Sequence, residues 1–231
     1  MRTLIAVSVL SLALLNSSES QTSPALPVQL LIPGDLQTRA RPVLGSAQWF
    51  GLFHDSLGGY QLRPSTVIIE DTPRGCGGQG RRIATSDSSH PVLLVAGMRS
   101  LQRGDVDSAF AGNRFVYPAE SVPLKLGDGS LYTLSAFGTA TWRPSEVWVS
   151  DYQIMLQRGP RRQVLAGFPR VDWDGTPRLL WAGDLDRDQQ LDLLLDLRRS
   201  YVGNIYVLFL SSLAGADSLV GRAAEFATAG C

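Results

Sequence analysis

The sequence predicts an all-β chain, mainly antiparallel, built as a sandwich or barrel-like domain that ends in a C-terminal meander. Three observations predict it. Short apolar segments rich in β-branched and aromatic residues recur along the chain, separated by Gly, Pro, Asn and Asp. Leu191, Leu193, Leu195 and Leu197 alternate with Asp192, Leu194, Asp196 and Arg198, the period of two that gives a strand one apolar face. No stretch sustains a helical period.

Met1-Arg2, the apolar run over 4–15 and Asn16-Ser17-Ser18-Glu19-Ser20 form the charged start, short apolar middle and small-residue exit of a secretory signal peptide, 1–20, with cleavage after Ser20. The expectation is a secreted or periplasmic protein whose residues 21–231 make a single all-β domain. The apolar run is shorter than the ~20 residues a bilayer crossing needs, and no later stretch is a better candidate, so no membrane span is expected.

Val28-Gln29-Leu30-Leu31-Ile32 reads as a first strand. Gln48-Trp49-Phe50-Gly51-Leu52-Phe53 and Tyr60-Gln61-Leu62 flank turn residues and read as a hairpin. Thr66-Val67-Ile68-Ile69-Glu70 and Val92-Leu93-Leu94-Val95 read as strands, with a glycine-rich loop between them. Pro123-Leu124-Lys125-Leu126 and Leu131-Tyr132-Thr133-Leu134 flank Gly127-Asp128-Gly129-Ser130, residues that tolerate the positive φ of a tight hairpin. Glu146-Val147-Trp148-Val149, Gln153-Ile154-Met155-Leu156 and Gln163-Val164-Leu165 continue the pattern. Past the alternating leucines, whose strand is expected to be half buried, Gly203-Asn204 reads as a two-residue turn into Ile205-Tyr206-Val207-Leu208-Phe209-Leu210. A last strand is expected within 219–226. Arg63-Pro64-Ser65-Thr66-Val67 and Arg143-Pro144-Ser145-Glu146-Val147 echo one another, but one short match establishes no repeat.

With 21 Lys+Arg against 21 Asp+Glu the formal net charge is zero, so no global field recruits nucleic acid or an anionic membrane surface. The remaining partner classes are a glycan or a protein ligand. Cys76 and Cys231 are the only cysteines, and an even count in an exported chain favours a disulfide. That bridge would close a long loop, which the chain-entropy model values at roughly 5 kcal/mol.

One stretch carries a spacing with a chemical meaning. Asp184, Asp186, Asp188 and Asp192 stand at positions 1, 3, 5 and 9 of a loop, with the Gln190 backbone carbonyl at position 7. This spacing turns successive oxygens inward on a tight loop, where calcium takes six to eight of them. Residues 177–211 are thus predicted to be a calcium-loop hairpin and its following strand. Gly183-Asp184-Leu185-Asp186-Arg187-Asp188 through Leu191-Asp192-Leu193-Leu194 resembles the calcium loop of the FG-GAP, or integrin-type, repeat. In that family several repeats build a propeller, which needs at least about four blades. A single copy therefore implies a calcium-binding β-hairpin and no integrin-like recognition. Position 6, usually glycine in the family, is Gln189, and position 12 is Leu195 rather than the glutamate of a helix-flanked loop. Asp172-Trp173-Asp174-Gly175 reads as a turn.

The supply of catalytic groups is thin. His54 and His90 are the only histidines, and no G-x-S-x-G or H-E-x-x-H motif is present. Gly75-Cys76-Gly77-Gly78-Gln79-Gly80 matches G-x-G-x-x-G, but the residues after it carry no helical face, so the match reads as a surface loop. Arg103-Gly104-Asp105 is too short to carry weight. Trp49, Trp142, Trp148, Trp173 and Trp181 are expected mainly in the core, with a sugar-stacking surface as the other use of such rings. The reading is a non-catalytic binding or structural module that uses calcium. Its alternative is a secreted hydrolase acting on a glycan or cell-wall polymer, with calcium as structural support.

Overall fold

The computed structural model describes residues 27–36, 48–55, 58–73, 80–85, 90–144, 146–200 and 203–228. The signal segment 1–20 and both cysteines, Cys76 and Cys231, lie outside these residues, as does most of the glycine-rich loop.

The described chain is all-β and antiparallel. Its strands are, in order, β1 (Gln29–Leu31), β2 (Gly34–Leu36), β3 (Trp49–His54), β4 (Tyr60–Ser65), β5 (Val67–Thr72) and β6 (Gly80–Thr85). There follow β7 (Leu93–Ala96), β8 (Gly104–Val106), β9 (Ser108–Phe115), β10 (Ser121–Lys125), β11 (Leu131–Arg143) and β12 (Glu146–Arg158). The last five are β13 (Arg161–Asp172), β14 (Arg178–Gly183), β15 (Asp192–Asp196), β16 (Asn204–Leu210) and β17 (Gly221–Thr228). The helical turns among the described residues are the 3-10 segments Trp173–Gly175 and Ser211–Leu213.

These strands form four sheets, in the orders β10-β11-β12-β13, β17-β16-β15-β14-β9, β1-β7-β3-β4-β8 and β2-β6-β5. None closes into a barrel, so of the two expected architectures the sandwich is the one formed. Three apolar cores separate the four sheets as layers. Leu193, Leu195, Val207 and Phe209 face Leu134, Ile154 and Leu156 of the β10–β13 sheet. From the opposite face of the same strands, Trp181, Leu194, Leu208 and Leu210 meet Leu52, Leu62, Leu93 and Val95. Leu31, Trp49, Leu94 and Ala96 then meet Ile83 of the three-stranded sheet.

The β14–β17 meander is therefore an inner layer, and this corrects the half-buried reading of the leucine strand. All five residues of β15 are buried, Asp192 and Asp196 among them. Alternation marked Leu193 and Leu195 as core, but Leu194 on the other face is equally enclosed. The turn after β15 is also corrected: Asn204 belongs to β16 rather than to a turn.

The two segments expected over 146–149 and 153–156 are one strand, β12. A bulge lets it pass without a break: Asp151 adopts φ +52° opposite Gly138, at φ +148°. A Cβ on Gly138 would stand 2.6 Å from Val149 Cγ1 and 3.0 Å from the Ser150 carbonyl, so glycine is required there. The Arg-Pro-Ser echo is no repeat: in its first copy β4 and β5 belong to different sheets, and in its second β11 and β12 form a hairpin.

Candidate metal centre

The acidic loop closes the β14–β15 hairpin at one end of the inner sheet. Its entry is set by a close backbone approach. The Asp184 amide donates to the Asp107 carbonyl at 2.8 Å, and a Cβ on Gly183 would fall 2.3 Å from that oxygen. Only glycine fits. Leu185 and Leu191 are buried on either side of the carboxylates and pin the loop to the cores.

Within the loop the side chains alternate inward, as the spacing required. Carboxylate oxygens of Asp184, Asp186 and Asp188 lie within 4.8 Å of one another, close enough to share one metal ion. Asp184 and Asp186 are buried, at 8% and 7% exposure. The Gln189 amide donates to Asp184 Oδ2 at 3.0 Å and the Ser212 hydroxyl to Asp186 Oδ2. The other oxygen of each pair, Oδ1, is buried with no hydrogen-bond partner. Two orphaned carboxylate oxygens in one cluster are costly unless something cationic or protonated meets them.

Gln189 takes φ +64° and Arg187 φ +63°, so position 6 does adopt the left-handed conformation usually given to glycine. Arg187 reaches out of the loop to donate to the Gln102 carbonyl at 3.2 Å. At position 7 the Gln190 amide donates to Asp188 Oδ1 at 2.9 Å, an Asx turn that fixes the exit.

Asp192 has a different task from the triad. Its Oδ2 accepts the Leu185 amide at 2.8 Å and its Oδ1 the Ser211 amide at 2.8 Å, so it ties the loop start to the end of β16. Ser211 and Ser212, on the 3-10 turn after β16, were not singled out in the sequence. Their position directly after the apolar run 205–210 was the available signal. The Ser211 hydroxyl stands 2.8 Å from Asp188 Oδ2 and 2.9 Å from Asp192 Oδ1.

Burial pushes the carboxyls of Asp184 and Asp186 above the ordinary range; the Gln189 amide and Ser212 hydroxyl oppose it, while neighbouring carboxylates reinforce it. Burial likewise pushes Asp192 well up, with the Asp186 charge adding to it, against donors from Ser211 and Leu185.

No family model, curated protein or solved structure matches this chain. The case for an ion therefore stands on the loop's own geometry.

The other residues raised by the sequence lie elsewhere. His54 is exposed at the end of β3, edge-on to Tyr60 at 5.2 Å, and His90 is exposed before Pro91. The residues after the glycine-rich loop form strand β6 rather than a helix, which removes the dinucleotide reading. Asp105 of the Arg-Gly-Asp tripeptide is spent on strand pairing in β8 and accepts from Gln61 Nε2 at 3.0 Å. The tryptophans divide: Trp49 and Trp181 are core, whereas Trp142 is 65% exposed. Among the described residues no helix is long and apolar enough to cross a membrane.

Proposed function

We propose that this chain is an exported calcium-binding β protein that acts as a non-catalytic binding or structural module. Asp184, Asp186 and Asp188 are the carboxylate ligands, with the Gln190 carbonyl and a remaining lone pair of Asp192 completing the shell. The observation that carries this reading is the pair of buried, unpartnered oxygens, Asp184 Oδ1 and Asp186 Oδ1, within the carboxylate triad. An all-oxygen, carboxylate-rich loop suits a hard cation, and among the described residues no His or Cys joins the cluster, which disfavours zinc. Calcium is favoured over magnesium because the loop offers several protein oxygens in sequence, while magnesium retains most of its waters.

The single-copy FG-GAP-like spacing supports the same assignment, and the signal-like segment 1–20 supports an extracellular or periplasmic setting where calcium is plentiful. The ion's work is structural: it neutralises the cluster that joins β14, β15 and β16. Titration calorimetry of the chain without 1–20 tests this. The expected result is one calcium per chain, with binding lost in Asp186→Asn; equal binding by the variant would refute the assignment.

A further inference from the structure

The strand register divides the β10–β13 sheet into two faces. Leu134, Ile154, Leu156 and Val171 point to the inner sheet and are fully buried. The residues that alternate with them point the other way, with Ser135, Met155 and Val164 in one cross-strand row and Phe137, Gln153 and Gly167 in the next. On this outer face Phe137 is 48% exposed and Val164 53%, and Leu131, farther along β11, is 58% exposed. Three of the five large hydrophobic side chains exposed among the described residues thus share one sheet face. The charged groups that the register places on it stand toward its two ends. Lys125 and Arg162 lie at one end, and Arg143, Glu146, Arg170 and Asp172 at the other. A centre depleted of charge inside a polar rim is the composition of an interface.

Size and charge select the occupant. Strands of 5, 13, 13 and 12 residues, at about 3.4 Å per residue and about 4.8 Å apart, cover a flat footprint of about 700 Å². A stable interface takes about 800 Å² of accessible surface from each partner, and upright side chains give a face more accessible surface than its footprint. The whole face is therefore needed, which suits a second broad sheet packed across it. The same face of another copy is such a sheet. A copy turned about an axis along the strands would set Lys125 against Arg162, two like charges. A copy turned end for end avoids this. Thr133, in the row of Arg162, and Thr141, in the row of Asp172, each stand four residues from Phe137, so a two-fold axis at Phe137 brings those two rows together. Asp172 lies 3.9 Å from Arg170, beyond hydrogen-bond range, and so has lone pairs to offer a second guanidinium. We infer that the outer face of the β10–β13 sheet is the interface of a homodimer whose sheets pack end for end, with Phe137 at the two-fold axis and Arg162 facing Asp172 of the partner subunit. The interface does not depend on an ion at the acidic loop.

Analytical ultracentrifugation of the chain without 1–20, in calcium and in chelator, is the test. Interfaces of this size reach micromolar affinity or better, so the wild type is expected to sediment as a dimer at about 50 µM in both media. Phe137→Asp and Arg162→Asp are each expected to weaken association by about tenfold or more. Combining Arg162→Asp with Asp172→Arg is expected to restore it. Trp142→Ser removes an exposed ring from the opposite face and is expected to leave the dimer unchanged. Circular dichroism confirms that the variants are folded. A wild-type chain that stays single at about 200 µM overturns the proposal. So does a dimer that Phe137→Asp leaves intact. A double variant no better than Arg162→Asp overturns the end-for-end arrangement.

Discussion

The Ser211 hydroxyl lies 2.8 Å from Asp188 Oδ2 and 2.9 Å from Asp192 Oδ1, so one side chain from the end of β16 bridges a loop carboxylate to a strand carboxylate. The acidic loop is thereby bound to the third strand of its sheet as well as to the two it connects. The hydroxyl carries one proton, so its loss leaves one of the two carboxylates short of a donor while Asp192 Oδ1 keeps the Ser211 amide, a penalty of about 1–3 kcal/mol. Ser211→Ala is expected to lower stability in urea by about that amount and to weaken calcium binding, because Asp188 would no longer be held in place. Urea titration with and without calcium measures both effects.

Gln189 at φ +64° is the loop's conformational weak point. Glycine occupies that region without the Cβ clash, whose relief is worth about 1 kcal/mol, partly offset by the greater freedom of glycine in the unfolded chain. Gln189→Gly is expected to be neutral to stabilising and to tighten calcium binding. Calorimetry beside thermal unfolding checks this, and weaker binding would mean that Gln189 contributes more than its backbone.

Leu194 separates the two accounts of β15. A strand half exposed to water would tolerate its truncation at under about 1 kcal/mol, whereas a residue enclosed by the second core loses about 2–5 kcal/mol as alanine. Leu194 is fully buried against the sheet that contains β3 and β7. Leu194→Ala is expected to fall in the larger range by chemical denaturation, alongside Leu193→Ala.

Asp196 gives a pH signature. It is fully buried, accepts from Arg178 at 2.8 Å and lies 2.5 Å from the Arg198 guanidinium. Burial pushes its carboxyl up to about 6, against the pull of the Ile205 amide and of Arg178. The ordinary value near 4 holds in the unfolded chain, so the folded protein binds the proton more tightly between about pH 4 and 6. This contribution to stability is complete below about pH 4 and is lost as pH rises through about 6, up to about 3 kcal/mol in all. In chelator, unfolding free energy measured from pH 3.5 to 7.5 is expected to fall less steeply in Asp196→Asn than in wild type. Equal slopes would show that the Asp196 carboxyl titrates alike in the folded and unfolded chain, and a steeper fall in the variant would show that its arginine partners keep it ionised.

The parts of the fold legible in the sequence were those where local chemistry and tertiary position agree. Gly127-Asp128-Gly129-Ser130 forms its hairpin, with the Ser130 amide bonded to Asp128 Oδ1 at 2.7 Å. The meander from β14 to β17 formed in order, including the last strand. Asp184, Asp186 and Asp188, three of the four loop carboxylates, converged because their spacing is dictated by a turn closed within the loop itself. What was not legible depends on distant neighbours. β9, Ser108-Ala109-Phe110-Ala111-Gly112-Asn113-Arg114-Phe115, has no alternation because it is held by backbone pairing to β14 and is largely half exposed. The second face of β15 needed the β3–β7 layer to bury it, and the serines that hold Asp186, Asp188 and Asp192 come from more than twenty residues away or nearly so. A one-dimensional pattern records none of these encounters.

Thermal unfolding of the chain without 1–20, in calcium and in chelator, with Asp186→Asn in parallel, tests the central claim most directly. Calcium at about 100 times its Kd contributes about 2.7 kcal/mol. In a chain of this size that raises Tm by roughly 5–10 °C. The expected result is that rise in the wild type and none in the variant. A wild-type Tm that is the same in calcium and chelator would show that the three carboxylates hold no ion, and the calcium-dependent account of this protein would fall with it.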